Sequence, residues 1–316
     1  MKRVLKISLF AISAILLTAC AEKDADIKHQ SIESADYNFI VANDLGRNGY
    51  YDQKPIAATM GLLADDIDVE FVAAAGDVHH FEGVASTSDP LWMTNFELIY
   101  DHPSLMLDWY AILGNHEYRG NTQACLDYSK VSRRWIMPNR YYTLVKEVDD
   151  STTLRLLFID TAPLIDKYRK DSDTYPDAVK QDMDKQLRFI DSVLTVNKET
   201  WTVVIGHHPV YAFTPKDKSE RDDMQNRIDP LLRKHKVDFY FNGHIHNFQH
   251  IKMEGSPVDY ITNSSASLSR KVDKTEGTQF CSDLSGFMLC GVKHHKFIIN
   301  FVDKDGNTIY TYSRKK

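Results

Sequence analysis

Short apolar runs recur along the chain, and most of them stop at a glycine beside a polar side chain. Residues 39–42 lead into Asn43-Asp44-Leu45-Gly46, residues 71–75 into Gly76-Asp77, and residues 110–113 into Gly114-Asn115-His116-Glu117. Residues 202–205 lead into Gly206-His207-His208-Pro209, and residues 239–242 into Gly243-His244-Ile245-His246. Runs this short, without alternation, fit strands buried on both faces. Helical periodicity fills the intervals at residues 54–63, 91–100, 122–134 and 179–194, with a fifth helix, opening near Pro230, ahead of Lys234. Alternation of strand and helix predicts an α/β fold with parallel connections, whose ligands gather at the carboxyl ends of the strands. All five polar clusters fall there. Residues 258–261, 287–292, 297–301 and 309–312 read instead as strands joined by tight turns, Asp305-Gly306-Asn307 being the clearest. They predict a second sheet with antiparallel pairs. Without internal repeats or a Pro/Gly-rich linker, residues 37–316 read as one domain.

The first residues carry a different pattern. Lys2, Arg3 and Lys6 precede an apolar run over residues 7–17, too short for a permanent span, which ends in Leu17-Thr18-Ala19-Cys20. This order resembles the bacterial lipobox, in which the cysteine is lipidated and becomes the new N-terminus; the alternative is a plain secretory signal. The resemblance implies a signal peptide at 1–19, lipid on Cys20 and a polar tether over 20–36. With Ala21 rather than Asp after the cysteine, it also implies an outer-membrane or surface anchor.

Composition adds two constraints. The chain is 43% hydrophobic and 26% charged, with a formal charge of −6, which excludes a disordered or disulfide-scaffold protein. Loss of the three N-terminal cations would deepen −6 to −9. An acidic chain is a poor partner for nucleic acid. Cys125, Cys281 and Cys290 remain in the body. Cys281 and Cys290 could pair, but the apolar run around Cys290 favours buried free thiols.

The five strand ends offer Asp44, Asp77, Asn115, His207, His244 and His246, with His79 and His80 just after Asp77. Carboxylate, amide oxygen and imidazole form a donor set for Zn, Fe or Mn. The donors outnumber what one tetrahedral ion needs, and a carboxylate can bridge, so two metal ions are expected. The adjoining glycines are expected to let the backbone turn sharply and to keep the wall beside the ions low.

The motif order resembles the calcineurin-like metallophosphoesterases, and among them the small, tartrate-resistant purple acid phosphatases. That family reads Asp-x-Gly, Gly-Asp-x-x-Tyr, Gly-Asn-His-Asp/Glu, Gly-His and Gly-His-x-His. The likeness extends through Arg134-Trp135, Phe158-Ile159-Asp160-Thr161, His208-Pro209-Val210 and Ser285-Gly286-Phe287. It implies an α/β fold of four layers, an α-β-β-α sandwich of two mixed β-sheets. It implies one ion on Asp44, Asp77, position 80 and His246, and a second on Asp77, Asn115, His207 and His244. It further implies a bridging or terminal hydroxide as nucleophile, with Asp77 as the bridge and His116 as phosphate contact or acid. The expected partners are a phosphate ester and, through the lipid, a membrane; the chain is read as a monomer.

Two departures from that family stand out. Position 80 is His80, where the purple enzymes place a tyrosinate that stabilises ferric iron and gives the colour. The site is therefore expected to hold ferric iron less firmly and not to be purple, with Fe, Zn or Mn beside iron. His79 could ligate in its place, or otherwise touch substrate, as His208 could from beside His207. A histidine nine residues past the Gly-His ligand is replaced by Lys216, either a phosphate contact or a solvated lysine. The polar stretch 164–178 is a candidate lid. The leading function is an acid phosphatase acting on phosphate monoesters. A phosphodiesterase, nucleotide hydrolase or phosphoprotein phosphatase on the same core is one alternative, and a non-catalytic metal- or ligand-binding lipoprotein is the other.

Overall fold

The computed structural model describes residues 35–316, apart from residue 217, together with the isolated Ile32. The signal segment, Cys20 and nearly all of the tether lie outside the described residues. The chain runs β1 (Tyr37–Ala42), α1 (Gln53–Asp66), β2 (Val69–Ala74), β3 (Asp108–Ala111), α2 (Thr122–Asp127), β4 (Trp135–Ile136), β5 (Tyr142–Asp149) and β6 (Thr152–Phe158). It continues with α3 (Asp166–Lys170), α4 (Met183–Thr195), β7 (Trp201–Ile205), α5 (Lys218–Arg227), α6 (Asp229–Lys234), β8 (Phe239–Asn242), β9 (Phe248–Ile251) and β10 (Asp259–Thr262). Strands β11 (Thr278–Ser282), β12 (Gly286–Lys293), β13 (Lys296–Asp303) and β14 (Thr308–Lys315) complete it.

Two mixed seven-stranded sheets result. One has the order β14-β13-β12-β1-β2-β3-β4 and the other β11-β9-β10-β8-β7-β6-β5. Strand periodicity explains how they stack. Phe39 and Val41 of β1, Phe71 and Ala73 of β2, and Trp201, Val203 and Ile205 of β7 enter one buried layer between the sheets. Their neighbours Ile40, Ala42, Val72 and Val204 face outward, into the layers shared with the helices. With both faces covered, these strands need apolar residues at every position, which is why their runs do not alternate. Helix α1 covers one face with Ile56, Ala57, Met60, Leu63 and Ala64. Helix α4 starts where the Asp182 side chain accepts the Lys185 N–H at 2.9 Å. The architecture is the expected four-layer sandwich.

The C-terminal strands do not make a sheet of their own. β10 joins the second sheet parallel to β8, and β12 pairs antiparallel with β1, Phe39 opposite Cys290. Both edges offer matching apolar faces, and local pattern carries no information about which edge a hairpin will join. The helix expected at 91–100 shrinks to a π-helical turn, Met93–Glu97, that drops Phe96 into the core. Helices α3 and α5 lacked an apolar stripe, and α5 buries only Glu220 and Met224. The three cysteines among the described residues are free: Cys125 and Cys290 are buried, and Cys281 is half-buried, so the Cys281–Cys290 pair is not formed.

Candidate metal centre

Three ligand loops leave β1, β2 and β3 of one sheet, and two leave β7 and β8 of the other. All lie at the same end of the sandwich. Backbone hydrogen bonds stitch them together: Asp44 N–H to Gly76 O at 2.9 Å, Gly243 N–H to His207 O at 3.0 Å, and Ala266 N–H to Asn43 O at 3.0 Å. Glu117 clamps two of them. Its buried carboxylate accepts the N–H groups of Asp77 (2.9 Å), His79 (3.0 Å) and Gly114 (2.7 Å). Burial, then the Asp77 charge, raises the Glu117 carboxyl to about 7.

Asp44, Asp77, His244 and His246 all hold positive φ, between 52° and 72°. Non-glycine residues seldom occupy this region, at a cost of about 1–3 kcal/mol each when strained, and such residues concentrate at functional sites. Gly76 has φ 89°, and a Cβ there would meet His207 Nδ1 at 2.6 Å. A Cβ on Gly114 would meet Asp77 Oδ1 at 2.2 Å. At these two positions glycine leaves room for the His207 and Asp77 side chains.

Each carboxylate spends one oxygen on the protein and turns the other inward. Asp44 Oδ2 accepts the His244 N–H at 2.8 Å, while Oδ1 lies 3.0 Å from His246 Nε2 and 3.9 Å from His80 Nε2. Asp77 Oδ1 accepts the His116 N–H at 2.8 Å, while Oδ2 lies 3.1 Å from His207 Nε2 and 3.7 Å from His80 Nε2. The imidazoles are anchored from behind. Nδ1 of His207, His80 and His246 donates to the carbonyls of Ala75 (2.9 Å), Gly46 (3.1 Å) and Leu268 (2.9 Å), which leaves each Nε2 to face inward. His244 is reversed: Nε2 donates to Glu220 at 2.9 Å and Nδ1 faces inward.

Asp44 Oδ1, Asn115 Oδ1, His80 Nε2, His207 Nε2 and His244 Nδ1 are all buried without a hydrogen-bond partner among the described residues. Leaving one such group unpaired costs about 1–3 kcal/mol, and five converge on one place. Asp44, His80 and His246 form one group able to hold a cation, and Asp44, Asp77 and His207 another. The donor set fits metal ions.

Electrostatics agree with a site built for cations. Burial works against both aspartates, yet neighbouring imidazoles, chiefly His246 for Asp44 and His207 for Asp77, hold them well below the usual carboxylate range. Burial would lower His207, but the Asp77 carboxylate carries it up to about 9.

The remaining expected residues separate. His116, part-exposed, lies beside the centre with Nε2 3.9 Å from Asp77 Oδ2; its Nδ1 donates to Phe81 O at 2.7 Å. His79 turns away: it is buried edge-on against Trp92, ring centroids 4.4 Å apart, with Nδ1 3.4 Å from Asn95 Nδ2. His80 therefore takes the inward place that His79 was the alternative for, and His79 has no access to substrate. His208 is fully buried, and its ring nitrogens already meet Thr161 Oγ1 (2.7 Å) and Tyr168 OH (3.0 Å), so it has no atom left for a substrate. Lys216 is not merely solvated. Its Nζ lies 2.9 Å from His244 O and 3.0 Å from His244 Nε2, and burial lowers it to about 8.

Sequence reading missed Glu220. It is buried on α5, and its carboxylate accepts from His244 Nε2 (2.9 Å), Lys167 Nζ (2.6 Å) and Tyr168 OH (3.0 Å). An acidic residue in a helix whose one apolar residue is Met224 carries no local signal of burial. Lys167 and Tyr168 belong to the 164–178 stretch, which is docked here through buried Tyr168 and Tyr175 rather than standing as an open flap.

A two-sheet sandwich with Asp, Asn and His loops at one strand end defines a metallophosphoesterase. The family model for calcineurin-like phosphoesterase matches residues 37–248, and the chain belongs to that family. Within it, several relatives are acid phosphatases. Purple acid phosphatase 4 of Arabidopsis thaliana is 30% identical over 302 residues, covering 92% of this chain and 87% of its own. Tartrate-resistant acid phosphatase type 5 of Sus scrofa is 32% identical over 212 residues, 64% of this chain and 58% of its own. Among solved structures, GAP50, the anchor in the inner membrane complex of Plasmodium, shares the fold with a TM-score of 0.76 at 23% identity, over 88% of each chain. The chain is thus a phosphoesterase hydrolase of a metal-dependent family.

Proposed function

We propose that the protein is an acid phosphatase that hydrolyses phosphate monoesters with two metal ions. One observation carries this reading. Asp77 Oδ2 sits between His207 Nε2 (3.1 Å) and His80 Nε2 (3.7 Å), with unpartnered donors on both sides. Asp44, Asp77, His80 and His246 would hold one ion, and Asp77, Asn115, His207 and His244 the other. Iron with Fe, Zn or Mn suits these oxygen and nitrogen donors. When bound, the ions would supply Lewis acidity for phosphoryl oxygens and for an attacking water.

The chain's own residues do the rest. His116, held by Phe81 O, turns Nε2 toward the space in front of Asp77, in reach of a phosphoryl oxygen or a leaving alkoxide to protonate. Lys216 adds positive charge beside His244, which favours the approach of an anion to an acidic protein. Glu117 and Glu220 fix the loops and the His244 ring.

Purified protein should contain two equivalents of metal and hydrolyse p-nitrophenyl phosphate faster than its bis-ester. Faster turnover of the diester would establish the phosphodiesterase alternative. Asp77→Asn should lose at least one metal and activity by about 10²–10³-fold. Two bound metals in a wild-type protein that hydrolyses no phosphate ester would leave the binding-lipoprotein reading. The N-terminal pattern supports export and anchoring at the outer membrane through Cys20. Labelled palmitate should enter the wild type but not Cys20→Ser.

A further inference from the structure

Beside His80 opens a cleft of about 510 Å³ lined by Arg47, Asn48, Tyr50, Tyr51, His80 and Phe81. Its walls are unusual in two respects. Tyr50, Tyr51 and Phe81 are 72%, 66% and 62% exposed, so three aromatic rings face solvent around one opening. Arg47, by contrast, is only 7% exposed. Among the described residues its guanidinium shows no hydrogen bond or ion pair, Nε is buried without a partner, and the Phe81 ring lies 4.8 Å away. Burial works against this cation, and the Asp44 and Asp77 charges attract it without an ion pair.

The loop that carries these groups is held in place. Asn48, Gly49 and Tyr51 have φ of 53°, 76° and 56°. Gln53 Oε1 accepts the N–H groups of Arg47 (3.0 Å) and Gly49 (2.8 Å), and Asn95 Oδ1 accepts that of Asn48 (2.6 Å). Asp52 N–H donates to Ser267 O at 2.9 Å. Tyr51 holds its positive φ in this braced loop with its ring exposed. Among the described residues no ring contact holds Tyr50 or Tyr51, and no carboxylate forms an ion pair with Arg47.

We propose that Arg47, Tyr50, Tyr51 and Phe81 form a leaving-group subsite for phosphate esters of a planar aromatic group, Arg47 meeting the anionic end and the rings stacking on the aromatic one. The proposal rests on the phosphatase reading for the identity of the neighbouring centre, but its test does not require turnover. The probes are phenylphosphonate and methylphosphonate, neither of which has an ester bond to cleave. Binding is measured by calorimetry on metal-loaded full-length protein.

The wild type should hold phenylphosphonate about tenfold more tightly than methylphosphonate, the scale of aromatic stacking. The double variant Tyr50→Ser/Tyr51→Ser, altered only at exposed positions, should bring that ratio close to one. Arg47→Ala should weaken both ligands by a similar factor, and Arg47→Lys should restore part of the loss. The non-hydrolysable phosphonate analogues of phosphotyrosine and of 5′-AMP should each displace phenylphosphonate from the wild type, the better competitor identifying a tyrosyl or a nucleotide source. An unchanged ratio in the double variant, unchanged binding in Arg47→Ala, or displacement by neither competitor overturns the proposal. A phenyl preference that depends on the tyrosines, in a protein that cleaves no phosphate ester, would uphold the subsite and refute the phosphatase reading.

Discussion

Replacing Glu220 by alanine tests whether the second ring of contacts, rather than the ligands alone, shapes the centre. In the folded protein His244 turns Nδ1 inward because Nε2 donates to the Glu220 carboxylate at 2.9 Å. Lys216 Nζ is the other polar neighbour of that nitrogen, at 3.0 Å. Once the carboxylate is gone, Nε2–H faces a second donor. The ring then gains by turning over or shifting its proton to Nδ1, the atom that must carry a free lone pair. Loss of such an orienting partner typically costs 10–100-fold in metal affinity, or about 1.4–2.7 kcal/mol. The fold should suffer less: Lys167 is about half-exposed and can turn to water, and Tyr168 OH keeps His208 at 3.0 Å. A stability loss of about 1–3 kcal/mol is expected from the broken charged hydrogen bonds. Titration of metal-free protein with Zn²⁺, beside melting curves of both proteins, separates the two effects. Glu220→Gln, which keeps an acceptor oxygen, should fall between wild type and Glu220→Ala. If Glu220→Ala binds two Zn²⁺ with wild-type affinity and hydrolyses p-nitrophenyl phosphate within twofold of wild type, Glu220 does not position His244.

Other consequences follow from single residues. The iron-loaded wild type should lack the strong visible band of a tyrosinate ligand, and His80→Tyr should acquire one; absorbance spectra of the two decide it. Gly76→Ala places a Cβ 2.6 Å from His207 Nδ1 at φ 89° and should lower stability by about 1–3 kcal/mol, read from denaturant midpoints. Asp160 is buried with Oδ1 unpartnered, and burial raises its carboxyl from 3.8 to about 7. The folded state therefore binds a proton that the unfolded state has released between those values. Its contribution to stability is present below pH 4 and is lost as pH rises toward 7, at up to about 1.4 kcal/mol per pH unit. In Asp160→Asn that part of the pH slope should disappear; an identical slope would show that Asp160 is ionised in the fold.

Much of this protein is written in local sequence. A strand covered on both faces must be apolar throughout, so β1, β2, β3, β7 and β8 announce themselves, and the glycine and polar residues after each mark where the backbone turns. That was enough to place Asp44, Asp77, Asn115, His116, His207, His244 and His246 just after strand ends, because a residue at a strand end has a fixed place in the pattern. Which of His79 and His80 turns inward was open, because successive residues differ only in direction, and direction is set by what surrounds them. Trp92 and Asn95 received His79; Gly46 O and the two aspartates received His80. The edge joined by the C-terminal strands was equally hidden, since two apolar edges look alike until the sheets stack. Glu220, Arg47 and the exposed tyrosines were the least legible. A buried carboxylate on a polar helix and an unpaired guanidinium acquire meaning only from neighbours remote in sequence. The chain by itself determined which donors exist and at which strand ends they stand. Tertiary structure decided which atoms turn inward, because burial and long-range hydrogen bonds, absent from any local pattern, choose a ring's face and a carboxylate's partner.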